Sequence, residues 1–132
     1  MCTRMSGLTI EELLAHARSG LRRVRARDAP QAVADGAVLV DIRSELQRER
    51  DGVVPSALFV PRNVLEWRCA PTSAWRDPHV SDPRRRLILM CDQGYQSSLA
   101  AATLQGLGLP HATDMVGGFQ AWRAAGLPVE FR

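Results

Sequence analysis

The sequence predicts one α/β domain, with a mostly parallel central sheet of about five short strands and helices on both faces. Three observations carry that expectation. Continuous apolar runs recur at "AVLVDI" (37–42), "SALFV" (56–60) and "LILM" (87–90), the pattern of strands buried on both faces. Segments with helical periodicity and helix-end signals alternate with them, as in βαβ units. The 132 residues suffice for one sizeable core, and no repeat or linker divides them.

The elements follow in order. "TIEELLAHAR" (9–18) opens with Thr9 and has Glu12 three positions later, a capping box, with Ile10, Leu13, Leu14 and Ala17 along one helical stripe. "LRRVRA" (21–26) alternates weakly, as a short strand does. "DAPQAVADG" (28–36) reads as a short helix with proline in its first turn and Gly36 at its end. After the run ending in Asp41, "RSELQRERDG" (43–52) is partly helical, and "NVLEW" (63–67) supplies a turn or two of helix. A proline-rich loop, 69–86, leads into "LILM". "QSSLAAATLQGLG" (96–108) is an amphipathic helix with Leu99, Ala102, Thr103 and Leu107 near one face. "ATDMV" (112–116) and "GGFQAWRAAG" (117–126) give the last strand and helix.

Composition narrows the function. No apolar run approaches the roughly 20 residues of a membrane span. The start, "MCTRMSGLTIEE", lacks the apolar stretch of a secretory signal, so the expected location is cytoplasmic, without a membrane partner. A net charge of +3 is too small to indicate nucleic-acid binding. The densest basic run, "ARSGLRRVRAR" (17–27), has no interleaved aromatics and reads as a solvated face. Cys2, Cys69 and Cys91 form no CxxC pair, which argues against a metal knuckle or a dithiol redox couple.

Chemistry concentrates in "LILMCDQGYQSSLAAATLQGLG" (87–108), where a buried run meets a cysteine, a polar loop and a helix. Ligands of such sheets sit beyond the carboxyl ends of the strands. A tight loop entering a helix aims several N–H groups into one concavity and favours an anion there, including a cysteine thiolate. Gly94 permits the turn, while Ser97 and Ser98 add hydroxyls. Such a cradle would hold a sulfur-bearing anion or a persulfide on Cys91. A free cysteine also packs as a small hydrophobe, and spacing alone leaves both readings open.

The loop resembles the active-site loop of the rhodanese-like (sulfurtransferase) family, in which a cysteine begins a six-residue loop after the central strand. "VLVDIR" followed by "DGVVPSALFVP" is similar to that family's Asp-x-Arg strand end and Gly-x-Ile-Pro-Gly-Ala segment. "GGFQAWRAAGLPV" (117–129) matches its C-terminal signature, including Gly117, Gly118, Trp122, Gly126 and Pro128. The resemblance implies a single rhodanese-like domain over 22–130, with 1–21 an N-terminal helical segment of the same domain. It implies Cys91 as nucleophile, and Asp92, Gln93, Gly94, Tyr95, Gln96 and Ser97 as the substrate-binding loop. The implied reaction takes a sulfane sulfur from a small anion such as thiosulfate, through a Cys91 persulfide, to a thiol or protein acceptor. No metal or organic cofactor is implied.

Three departures shape the expectation. Gln96 stands where the family commonly has arginine, Asp92 where thiosulfate-using members often have a base, and Val53 where histidine is usual. Glutamine lacks the charged fork that suits oxyanions. Weak turnover, or a non-enzymatic module that carries persulfide or binds proteins, is the alternative. A phosphatase or arsenate reductase would need Cys-x5-Arg, and Ser97 occupies that arginine position. "PRNVLEWR" (61–68) offers the missing cation: Arg62, ahead of Arg68, is expected at the Cys91 rim, unless it serves a surface ion pair. Asp41 and Arg43 are expected to brace the strand end, the three tryptophans to pack, and Cys69 to be a bystander rather than a resolving thiol.

Overall fold

The computed structural model describes residues 7–132, so Cys2 lies outside the described residues. Five strands form one sheet: β1 (Val24–Arg25), β2 (Val38–Asp41), β3 (Leu58–Phe59), β4 (Leu87–Met90) and β5 (Thr113–Val116). Their order is β1-β5-β4-β2-β3 and every pair is parallel, which puts β4 in the centre. The helices are α1 (Ile10–Ser19), α2 (Ala29–Ala34), α3 (Glu45–Asp51), α4 (Leu65–Cys69), α5 (Gln96–Gly106) and α6 (Gly118–Ala124). Among the described residues no helix is long and apolar enough to cross a membrane.

Side chains alternate across the sheet and build a core on each face. Val40, Leu87 and Leu89 meet Leu65 and Cys69 of α4 and Ala100, Ala101 and Leu104 of α5. Leu39, Ile88, Met90 and Met115 meet Ala29 of α2 and Phe119 and Trp122 of α6. All four β4 residues are buried, as a central parallel strand requires. Trp122 closes its core and donates Nε1–H to the Pro128 carbonyl at 2.9 Å. Helix α1 lies outside this sandwich, packed on α5. The reciprocal bonds between Thr9 and Glu12 start it as the capping box foretells.

Three expectations are corrected. "SALFV" is not a fully buried run: β3 is an edge strand paired only with β2, and Leu58 is 39% exposed. The buried face of α5 is not the expected one through Leu99, Ala102, Thr103 and Leu107. It is Ser97, Ser98, Ala100, Ala101 and Leu104, while Thr103 and Leu107 are exposed. Small residues let this helix lie close to the sheet, and its two serines find a buried acceptor there. Trp67 and Trp75 do not pack; they are 58% and 70% exposed.

Candidate active site

The carboxyl end of β4 delivers Cys91 to the top of the sheet. Its side chain is nearly buried, 4% exposed, yet it forms part of the wall of an open groove of about 830 Å³. The loop folds back on the sulfur. The Gly94 N–H donates to Sγ at 3.1 Å and the Ser97 N–H at 3.4 Å, while Ser97 Oγ lies 3.3 Å from Sγ. The loop is therefore a cradle built on backbone donors at the start of α5.

Glycine is required at two places. Gly94 adopts φ +84°, and a Cβ there would stand 2.5 Å from the Gly117 nitrogen. Gly118 adopts φ +58°, and a Cβ there would collide with the Cys91 carbonyl oxygen. Both follow from how tightly α6 butts against the cysteine loop. That contact is hydrogen-bonded as well: Phe119 N–H donates to the Cys91 carbonyl at 2.8 Å and Gln120 N–H to that of Asp92 at 3.0 Å.

On the β2 side, Asp41 and Arg43 form a buried bidentate pair, Nε to Oδ1 at 3.0 Å and Nη2 to Oδ2 at 2.9 Å. Arg43 Nη2 also reaches the Gly52 carbonyl. The guanidinium lies 3.8 Å over the Phe119 ring and so ties β2 to the helix that holds the cysteine loop. This is the bracing role expected of the pair.

Arg62 does reach the groove wall with Cys91, but its Nη1 donates to both Glu66 carboxylate oxygens, at 2.8 and 2.9 Å. Arg68 does not line the groove; it is bonded to the Trp75 carbonyl. Asp92, on the wall, is held by Gln120 Nε2 at 2.9 Å. Gln93, Tyr95 and Gln96 are exposed at the mouth. Val53 is buried and bridges by backbone to Glu130. Cys69 is fully buried in the α4 core, where burial first and then Asp77 push its thiol up to about 12. A thiol so placed is a core residue rather than a redox partner.

The larger surprise lies on the sheet side of the loop. Asp114 of β5 is fully buried, and its Oδ2 accepts from Ser97 Oγ at 2.7 Å and Ser98 Oγ at 2.8 Å. Arg23 clamps the same carboxylate, with Nε to Oδ1 at 2.8 Å, and reaches the Gly94 carbonyl at 2.9 Å. Arg18 of α1 binds that carbonyl at 2.8 Å and Ser98 Oγ at 3.0 Å. The basic run is thus not only a solvated face; two of its arginines hold the cysteine loop from outside the groove. A signal for this existed. An acid inside the apolar strand "ATDMV" needs buried donors, and the arginines and hydroxyls elsewhere in the chain are candidates to supply them.

The family model of the Rhodanese-like domain matches residues 25–125. A sulfurtransferase from Allochromatium vinosum is 29% identical over 98 residues, covering 74% of this chain and 82% of the relative. A thiosulfate sulfurtransferase from Pseudomonas savastanoi pv. phaseolicola is 28% identical over 103 residues, 78% of this chain and 88% of the relative. A solved structure from Rhodopseudomonas palustris, described as a protein of unknown function and possible tyrosine phosphatase, superposes with a TM-score of 0.86 at 33% identity. It covers 98% of this chain and 99% of its own.

Proposed function

The chain belongs to the rhodanese-like domain family, and on that premise we propose that it transfers a sulfane sulfur through a persulfide on Cys91. The observation that carries this reading is the sulfur itself, held by the N–H groups of Gly94 and Ser97 at the end of the central strand and open to the groove. In the first half-reaction the Cys91 sulfur attacks the outer sulfur of a donor such as thiosulfate. A new S–S bond forms, and the donor's S–S bond breaks with its electron pair leaving on sulfite. An acceptor thiolate or protein then attacks the bound sulfur, and the Cys91 sulfur leaves with the bonding pair. Two half-reactions through one covalent intermediate predict ping-pong kinetics. Backbone dipoles in a water-poor cradle stabilise the sulfur anions of both steps, as an oxyanion hole does for oxygen.

Mass spectrometry after exposure to thiosulfate tests the reading. The expected result is a gain of about 32 Da, one sulfur atom, on the Cys91 peptide, removed by cyanide or a thiol. An adduct that forms but does not turn over assigns the domain to persulfide carriage instead. The neighbour described as a possible tyrosine phosphatase makes p-nitrophenyl phosphate the control substrate. No hydrolysis is expected, because Ser97 stands where a Cys-x5-Arg loop would place the arginine that surrounds a tetrahedral phosphate.

Arg62 is the cation proposed to meet an anionic donor. Its i,i+4 pair with Glu66 is about a quarter to a third exposed, and such pairs contribute only about 0.3–0.5 kcal/mol. A dianionic donor therefore displaces Glu66 at little cost. Arg62→Ala is expected to raise the KM for thiosulfate by roughly 3–10-fold with kcat near wild type, the pattern of lost uniform binding. Glu66→Gln should shift KM the opposite way. An unchanged KM in Arg62→Ala removes Arg62 from the site.

A further inference from the structure

We propose that Asp114 is a positioning residue for Cys91, setting the direction in which the Ser97 hydroxyl faces the sulfur. The inference rests on Cys91 as the nucleophile, and its test reads the thiol directly rather than sulfur transfer.

An ionised carboxylate only accepts hydrogen bonds, and all its partners here are donors. Ser97 Oγ–H and Ser98 Oγ–H both point to Asp114 Oδ2, at 2.7 and 2.8 Å, and Arg23 clamps the two oxygens. A serine hydroxyl has one proton. With that proton on a carboxylate, Ser97 Oγ presents lone pairs to Cys91 Sγ at 3.3 Å and accepts from the thiol S–H. When the sulfur loses its proton, the carboxylate and the sulfur anion compete for the Ser97 proton. Both acceptors are then anionic, and the compact carboxylate oxygen, already bonded at 2.7 Å, is a stronger acceptor than the large, diffuse sulfur, so Asp114 keeps it. The sulfur anion is then left with the Gly94 and Ser97 N–H groups as donors, facing an oxygen lone pair. Without Asp114 the same hydroxyl is free to turn and donate to the sulfur.

Ser98 is the internal control. It shares Oδ2 with Ser97 but makes no bond to Cys91. The charged groups on the sheet side of the sulfur are Asp114, Arg23 and Arg18. Around the groove they are Arg43 with Asp41, Arg62 with Glu66, Glu45 and Asp92. All of them remain in Ser97→Ala and in Ser98→Ala, so their fields drop out of the comparison between the two variants.

The experiment is the pH profile of Cys91 alkylation by iodoacetamide, read on the Cys91 peptide by mass spectrometry in the full chain. Ser97→Ala is expected to displace the profile to lower pH by roughly 0.5–1 unit, the size of one net hydrogen bond, and so to speed alkylation at neutral pH by roughly 3–10-fold. Asp114→Asn is expected to displace it the same way, whereas Ser98→Ala leaves it in place. A Ser97→Ala profile that stays put or moves to higher pH overturns the proposal, since Ser97 would then be no acceptor from the thiol. A Ser98→Ala displacement equal to that of Ser97→Ala also overturns it, by reducing the network to a structural brace. If Asp114→Asn fails to fold, the two serine variants still decide. Persulfide formation is measured separately, so a failure of the sulfur-transfer reading leaves this result distinguishable.

Discussion

Cys91→Ser is expected to eliminate sulfur transfer while leaving the fold intact. The substituted oxygen still meets the Gly94 and Ser97 N–H groups that now hold the sulfur, so the loop keeps its anchor. The chemistry does not survive. A serine hydroxyl is a far weaker nucleophile than a cysteine, and it cannot store a sulfur as a persulfide. The thiosulfate:cyanide rate should fall by at least ~10³-fold, the scale on which loss of a covalent nucleophile is felt. The mass gain on the 91-containing peptide should vanish with it, and circular dichroism should match wild type. Residual turnover at a tenth of the wild-type rate, in a folded variant, would remove Cys91 from the mechanism.

Arg43→Ala carries the largest expected cost in stability. Arg43 and Asp41 are both buried, and the guanidinium makes two bonds to the carboxylate and one to the Gly52 carbonyl. Removal strands an acid at the end of β2 with its backbone N–H bond and the longer contact to Arg48 at 3.3 Å. Breaking a buried pair from one side costs about 3–5 kcal/mol. For a domain of this size that lowers the thermal midpoint by roughly 10–20 °C. Activity should fall further than stability accounts for. The lost guanidinium also covers Phe119, whose N–H holds the Cys91 carbonyl. The paired substitution Asp41→Val with Arg43→Met removes both charges and should cost less than Arg43→Ala alone. A single-variant loss below about 1 kcal/mol, measured by urea unfolding, would show that the pair is dispensable.

The fold was legible because its signals are local. Four apolar residues in a row, "LILM", can hardly be anything but a strand buried on both faces when a loop and a helix follow, and β4 is that strand. Thr9 and Glu12 announced the start of α1 for the same reason, since a capping box closes within four residues. The face of α5 was not legible. Leucines mark the hydrophobic side of most helices, but here Ser97 and Ser98 are buried because a carboxylate on the neighbouring strand accepts from both.

The position of Cys91 followed from the chain itself, because a parallel sheet places ligands beyond its strand ends and the cysteine closes the central strand. Its surroundings did not. Asp114 lies 17 residues from Ser97, and Arg18 and Arg23 lie 76 and 71 residues from the Gly94 carbonyl they hold. Hydrophobic periodicity reports which way a side chain faces, never which strand comes to lie beside it. The order β1-β5-β4 brings Asp114 and Arg23 against the cysteine loop, the packing of α1 on α5 adds Arg18, and with them comes the hydroxyl that meets the sulfur.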